Sequence, residues 1–519
     1  MRRLFRPAIV SFGIATLCLL AILGPLVSPS HIVIYHTSGP VLTVFAAVLA
    51  DLFVLWALIA TVLIVAEKPG WRQVAIWSAL VLALPWILLK NASMLAGFML
   101  PDWASVSVLT LSLAALVSVA VFWKPSFFPT FQRIKRLLTV VFGFVALSGA
   151  IFVSQLLWFG WQARALNSPV LLHQRKTDPV GRATGGRVIW ILLDELSYQQ
   201  VYERRFPGLN LPTFDAVARE STSFTHVTPA GRFTEEVIPS LFTGLAVDSI
   251  RASADGRRLS LHDPSARRWQ TFDPQQTIFQ DALNAGYSTA AVGWYNPYCR
   301  LLPKVLDRCF WTFQLPYPGG IIAGAPFARN VLQLLVRRVR PASANAALDT
   351  ESHIADYRDL RGAADAMLAD PDASFVFLHM PIPHPGGIYD RRNQSLTTGS
   401  SSYIDNLALA DKYLARVRGL LERRGEWDPS TIVIMGDHSW RTSFIWSTSE
   451  GWTREDEAAS HGAQFDARPV YMVKLPHQQQ ASRIDAPFKA IHTRSLLDAL
   501  IAGQLRTVDD LHSWARKQK

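Results

Sequence analysis

"TIVIMGDHSW" (Thr431–Trp440) is an apolar, β-branched run that halts at glycine, aspartate and histidine. Such a run, bounded by turn residues, reads as a buried strand. A strand that ends in a carboxylate and an imidazole is either a capped polar turn or one corner of a metal site. Other strand ends in the chain bear on the choice. "RVIWILLDELS" (Arg187–Ser197) ends its apolar run at Asp194 and Glu195. "SFVFLHM" (Ser374–Met380) carries His379 at its end, and His384 follows in "PIPHPGG". His461 stands in "SHGAQ", just before a further apolar run. Functional groups in open α/β sheets collect beyond the carboxyl ends of the strands. Oxygen and imidazole donors together suit zinc or manganese, with calcium or magnesium as further options.

Working outward, strands are expected at Val188–Leu193, Ser288–Val292, Ser374–Leu378, Thr431–Met435 and Val470–Val473. Helices are expected at Thr277–Ala285 and Tyr403–Leu421; in the latter Ile404, Leu407, Leu414, Val417 and Leu421 share one face. Strands alternating with helices predict an α/β fold with a mostly parallel sheet. The polar stretch Arg251–Gln276 reads as a loop or hairpin insertion.

The first 160 residues differ in kind. Five apolar runs, Pro7–Val27, Val41–Ala66, Val74–Leu89, Ser105–Trp123 and Leu137–Trp161, approach the length needed to cross a bilayer. Arg2, Arg3 and Arg6 precede the first run, Lys68 and Arg72 follow the second, and Lys124, Arg133, Lys135 and Arg136 precede the fifth. The stretch Ser28–Pro40 has no Lys or Arg. Basic residues on alternate loops put the amino terminus in the cytoplasm and everything after Trp161 outside it. The net charge of +11 therefore does not imply nucleic acid, which is not expected as a partner. Gln162–Gly186, polar and ending in "TDPVGRATGG", reads as a linker, so the expected plan is 1–161 in the membrane, 162–186 linker and 187–519 exported. Cys299 and Cys309 frame "CRLLPKVLDRC" in the exported part, where an oxidising compartment allows a disulfide; two free thiols are the alternative. Asp51 lies inside the second apolar run, either functional or bonded between helices.

"GRFTEEVIPSLFTG" (Gly231–Gly244) supplies the nucleophile candidate, Thr234. A hydroxyl needs activation, and a metal ion can lower its pKa. Thr234 also reads as a helix N-cap, with Glu235 and Glu236 in the first turn, and a helix amino terminus favours phosphate or sulfate. Ser240 and Thr243 are the alternatives, deeper in the helix.

At these residues the chain resembles the alkaline phosphatase and sulfatase superfamily, and within it the membrane-anchored phosphoethanolamine transferases and lipoteichoic acid synthases. "ILLDELS", "LPTFDAVARESTSFTHV", "ALNAGYSTAAVGW", "FLHMPIPHPGGIYDR", "GDHSW" and "ARPVYMVKLPHQ" carry the resemblance. It implies a five-helix transmembrane domain followed by an α/β sandwich catalytic domain facing the periplasm, the whole a multi-pass protein of the inner membrane. It implies that Asp194, Thr234, Asp437 and His438 hold one metal, which Glu195 could join. Thr234, ten residues before Gly244 as the sulfatase nucleophile stands to its "TG", would also be the nucleophile. His379, His384 and His461 would contact substrate phosphate or a second metal. The implied reaction moves a phosphoethanolamine or phosphoglycerol head group from a membrane phospholipid to an envelope glycan or lipid through a phosphothreonine. A membrane-anchored phosphoester or sulfate-ester hydrolase and a non-catalytic envelope scaffold are the rival readings. The chain departs from formylglycine sulfatases in having Thr234 followed by "EEVIPS" instead of a C/S-x-P-x-R pattern. It also lacks the several cysteines that staple many of the transferases.

Overall fold

The structure is a computed structural model; it describes residues 2–96, 102–122, 124, 126, 128–164, 166, 186–314, 325–336, 342–449 and 451–518. The chain divides into two units, Met1–Ile34 with Pro40–Leu166 and Pro316–Asn345, and Tyr35–Gly39 with Asn167–Leu315 and Ala346–Lys519.

The first unit is helical. Four helices are long and apolar enough to cross a membrane, over Phe5–Leu26, Val41–Val65, Trp71–Ala92 and Phe128–Ala163. The expected fifth span, Ser105–Trp123, falls on helix Asp102–Val121, whose apolar part Val106–Val119 is too short to count among them. Five apolar runs thus become four qualifying helices among the described residues. Small residues let two of them meet closely: a Cβ on Gly13 would lie 2.1 Å from the Phe142 carbonyl, and one on Gly149 would lie 2.3 Å from Thr16 Oγ1. Asp51 is buried within Val41–Val65. Helix Phe327–Val336, distant in sequence, belongs to this unit; it is amphipathic, and its Leu334 joins the apolar cluster with Leu19, Leu23 and Val48. The linker expected at 162–186 falls almost wholly outside the described residues.

The second unit is built on an eight-stranded sheet. Its strands are β1 Val188–Leu193, β2 Thr222–Phe224, β3 Thr289–Trp294, β4 Arg308–Thr312, β5 Phe375–Met380, β6 Thr431–Gly436, β7 Tyr471–Lys474 and β8 Ser482–Ile484. They lie in the order β8-β2-β7-β6-β1-β5-β3-β4. From β6 through β4 every pairing is parallel, while β7 runs antiparallel to both β6 and β2. The expected strands all form, shifted by a residue or two at their ends. β1, β3, β5 and β6 are buried along their whole length, as strands covered on both faces must be, which is why they read as continuous apolar runs. The expected helices form as Ile278–Asn284 and Tyr403–Glu422. The stretch expected as a loop or hairpin is instead a three-stranded antiparallel sheet of Ser249–Ala252, Leu259–Asp263 and Arg268–Thr271. Its hydrophobic signal is thin because Arg268–Thr271 buries none of its four residues. Cys299 and Cys309 are disulfide-bonded and tie the short helix Tyr298–Leu301 to β4.

Candidate active site

The register of the sheet places the candidate site. β1 pairs with both β6 and β5, and Leu193 lies opposite Gly436 on one side and Met380 on the other. The residues after β1 and β6 therefore emerge side by side at one sheet edge, with His379 of β5 beside them. Asp194, Asp437 and His438 offer ligand atoms all within 4.8 Å of one another. All three are buried.

Thr234 arrives from a different element. It is the first residue of helix Thr234–Thr243, and Phe233, not Thr234, occupies the cap position. Glu236 closes the turn by accepting the backbone N–H of Arg232 at 2.9 Å. Gly244 ends the helix at φ 72°, a left-handed conformation that suits glycine. The far end is held by Phe242, whose ring meets Trp190 at 5.8 Å, Phe377 at 5.3 Å and Phe279 at 5.0 Å. Aromatic pairs of this kind add about 0.5–1.5 kcal/mol each beyond their burial, so the helix is anchored to β1 and β5. The free end delivers Thr234 Oγ1 to 2.8 Å from Asp437 Oδ2 and 3.3 Å from His438 Nε2. The alternatives are turned away: Ser240 Oγ donates to the Glu236 carbonyl and Thr243 Oγ1 to the Pro239 carbonyl.

The electrostatics of the cluster fit a cation. Both Asp194 carboxylate oxygens are buried without a hydrogen-bond partner, an arrangement that costs heavily unless a positive charge compensates it. Burial, and next the charge of Asp437, push the Asp194 pKa well above the ordinary carboxylate range. Burial would raise Asp437 as well, but the charge and hydrogen bond of His438 hold it below that range. Asp437 Oδ1 accepts the backbone N–H groups of Glu195 at 3.0 Å and His438 at 2.8 Å, which leaves Oδ2 to face inward. His438 Nδ1 lies 3.2 Å from the Ser439 carbonyl and donates there. Its Nε2, 3.0 Å from Asp437 Oδ2, donates to that oxygen while the ring is charged; a bound cation would displace this proton and take the lone pair. Asp194, Thr234, Asp437 and His438 thus form an oxygen-rich donor set with one imidazole, suited to a divalent ion.

The other expected residues are placed differently. Glu195, at φ 63°, spends its carboxylate on Arg441: Nε at 2.8 Å and the backbone N–H at 3.2 Å, with Nη2 in contact as well. Trp446 Nε1 bonds it too, at 2.8 Å. One Glu195 oxygen still lies near Asp194 and His384. His379 is fully buried, its Nδ1 2.7 Å from the Tyr298 hydroxyl and its Nε2 3.6 Å from Asp194 Oδ2. His384 is half-buried, its Nδ1 2.7 Å from the Pro385 carbonyl. His461 is exposed and belongs to neither ligand cluster. Three residues that the sequence reading did not single out support the site. Arg441 neutralises Glu195. Tyr298 holds His379. His353 spans the loop before His384, with its ring nitrogens 2.8 Å from the Pro381 carbonyl and 3.1 Å from that of Gly386. Only the arginine had a sequence signal, lying three residues beyond "DH".

No protein-family model and no curated protein matches the chain. Solved structures similar to it include Ps i-CgsB in complex with k-i-k-neocarrahexaose, 15% identical over 64% of this chain and 74% of that one, with a TM-score of 0.40. A phosphonate monoester hydrolase of Agrobacterium radiobacter is 13% identical over 61% of this chain and 74% of that one, TM-score 0.38. A protein in the alkaline phosphatase superfamily from Vibrio parahaemolyticus is 13% identical over 66% of this chain and 72% of that one, TM-score 0.35.

Proposed function

We propose that the chain is a metal-dependent transferase of the inner membrane that moves a phosphate-containing lipid head group, of phosphoethanolamine or phosphoglycerol type, to an envelope glycan or lipid. The observation that carries the reading is the meeting of the Thr234 hydroxyl with Asp437 and His438 beside the uncompensated Asp194 carboxylate. The helices long enough to cross a bilayer support a donor that is itself a membrane lipid, and the alternation of basic loops supports a periplasmic catalytic unit.

A bound divalent ion would supply Lewis acidity and lower the pKa of the threonine hydroxyl. Thr234 Oγ1, its hydroxyl held against Asp437 Oδ2 at 2.8 Å, attacks the head-group phosphorus as its proton leaves to solvent. The bond from phosphorus to the glyceryl oxygen breaks, and diacylglycerol leaves after that oxygen takes a proton from solvent. The head-group phosphate is then an ester of Thr234. An acceptor hydroxyl attacks the same phosphorus and gives up its proton to solvent, while the Thr234 oxygen departs and takes up a proton. The amide N–H groups of Thr234 and Glu235 stand at the start of helix Thr234–Thr243, and a helix amino terminus favours phosphoryl oxygens.

Intact mass and peptide mapping after incubation with membrane phospholipids test this. A head-group phosphate adduct on Thr234 is expected, absent in Thr234→Ala. Turnover of lipid with an unmodified Thr234 would refute the assignment. Release of free head group without a modified glycan or lipid would establish the hydrolase instead.

A further inference from the structure

Among the expected site histidines, His379 has its ring locked by a partner that no reading of the sequence identified. We propose that Tyr298 is a positioning residue that fixes His379 as the Nε2–H tautomer, so that the imidazole faces the site as a hydrogen-bond donor to an anionic oxygen and not as a metal ligand.

The geometry is set by a missing side chain. In the sheet, Gly293 of β3 lies opposite His379 of β5. A Cβ on Gly293 would sit 2.0 Å from the Tyr298 ring, so only glycine lets the phenol lie flat there. Tyr298 follows β3 by four residues, and the neighbouring Cys299 is tied to Cys309. The ring is wholly buried, and its hydroxyl reaches His379 Nδ1 at 2.7 Å.

The polarity of that bond follows from what surrounds it. Asn296 Oδ1 accepts the Tyr35 hydroxyl at 2.9 Å, and Asn296 Nδ2 has no hydrogen-bond partner. The end of the amide nearer the phenol is thus no acceptor for it. Burial keeps the phenol protonated. A buried O–H that donates to nothing is costly, and the acceptor in reach is His379 Nδ1. The Trp294 carbonyl also faces the imidazole, but it already accepts the Asn296 N–H at 2.7 Å. With Nδ1 accepting, the ring proton of a neutral imidazole resides on Nε2. That nitrogen has no hydrogen-bond partner, and it points toward Asp194 Oδ2 from 3.6 Å. A protonated nitrogen cannot ligate a cation. It can donate to a phosphoryl or sulfuryl oxygen held beside one. Only this last step rests on the reaction proposed above.

The test uses the full chain in detergent with 15N-labelled histidine. Long-range proton–nitrogen correlations report which ring nitrogen carries hydrogen, and His379→Gln assigns the signal. An unprotonated Nδ1 and protonated Nε2 are expected in the native chain, with the other tautomer gaining population in Tyr298→Phe. A native Nδ1–H form, or a tautomer unchanged in Tyr298→Phe, would overturn the proposal. Since this readout needs no turnover, it stands apart from the success or failure of the transferase reading. A second pair of variants does not depend on Tyr298→Phe folding. His379→Gln keeps a donor where Nε2 lies, whereas His379→Asn mimics Nδ1. Head-group transfer at least about tenfold faster in the Gln variant is expected, with bound metal per chain equal in both. Equal loss of transfer, or a loss of metal in both, would sink the donor role.

Discussion

At the residue scale, two adjacent acids do opposite jobs. Asp194 has no hydrogen-bond partner for either oxygen, whereas Glu195 is saturated by Arg441 and Trp446. Breaking a buried ion pair by removing one partner costs about 3–5 kcal/mol. Glu195→Gln should therefore lower unfolding stability by that order in a denaturant titration while leaving metal stoichiometry near native. Asp194→Asn should do the reverse. It removes an uncompensated buried charge and costs little stability, but weakens divalent-ion affinity by at least about tenfold in calorimetric titration. If the two substitutions affect metal binding equally, Glu195 is a ligand and the division of labour is wrong. The sequence presented "DE" as a pair of equivalent acids. Only the arrival of Arg441, 246 positions away, tells them apart.

At the element scale, the site depends on a turn with no spare room. Gly436 closes β6 just before Asp437 and His438. A Cβ there would lie 2.8 Å from the Leu196 carbonyl and 3.1 Å from that of His438. Backbone on both sides cannot give way cheaply, because each segment continues from a fully buried strand. Gly436→Ala is expected to displace the Asp437–His438 turn and weaken divalent-ion binding by at least about tenfold, read by the same titration. Retained affinity would mean that the turn is softer than its packing indicates. The strands themselves were legible in the sequence, because doubly covered parallel strands are written as unbroken apolar runs. The three-stranded sheet between Ser249 and Thr271 was not, since strands of four or five residues are too short to display their alternation and Arg268–Thr271 buries nothing.

For the second unit as a whole, buried histidines set the response to pH. Burial holds His353 below the usual imidazole range, pushes His379 down to about 4, and holds His384 well below its ordinary value. In the unfolded chain these rings take up protons near the ordinary imidazole value of 6.5, while the folded unit keeps them neutral. Below that pH the unfolded state binds more protons, so stability falls as pH falls. The loss begins near pH 6.5 and, for His379, is complete by about pH 4. His379 alone contributes on the order of 3 kcal/mol to it. Thermal unfolding followed between those limits should show a falling midpoint in the native chain and a shallower fall in His379→Gln. A flat profile would contradict the burial of these rings as neutral groups. Division of the whole chain into an apolar helical part and an α/β part was plain from composition. That helix Phe327–Val336 belongs with the former was not, because an amphipathic helix does not say which apolar surface it covers.

The sequence alone determined the strands, their direction of burial, and the residue types waiting at their ends, because each of these is a local consequence of side-chain pattern. It also offered Asp194, Glu195, His379, Asp437 and His438 at strand ends and Thr234 on a helix, while the narrower set of Asp194, Thr234, Asp437 and His438 came from the family resemblance. The tertiary structure alone decided which acid pairs with Arg441, that His461 stays outside, and that Tyr298 reaches His379 across the space left by Gly293. Those outcomes hang on contacts between segments tens to hundreds of residues apart. Packing, not local periodicity, chooses such partners.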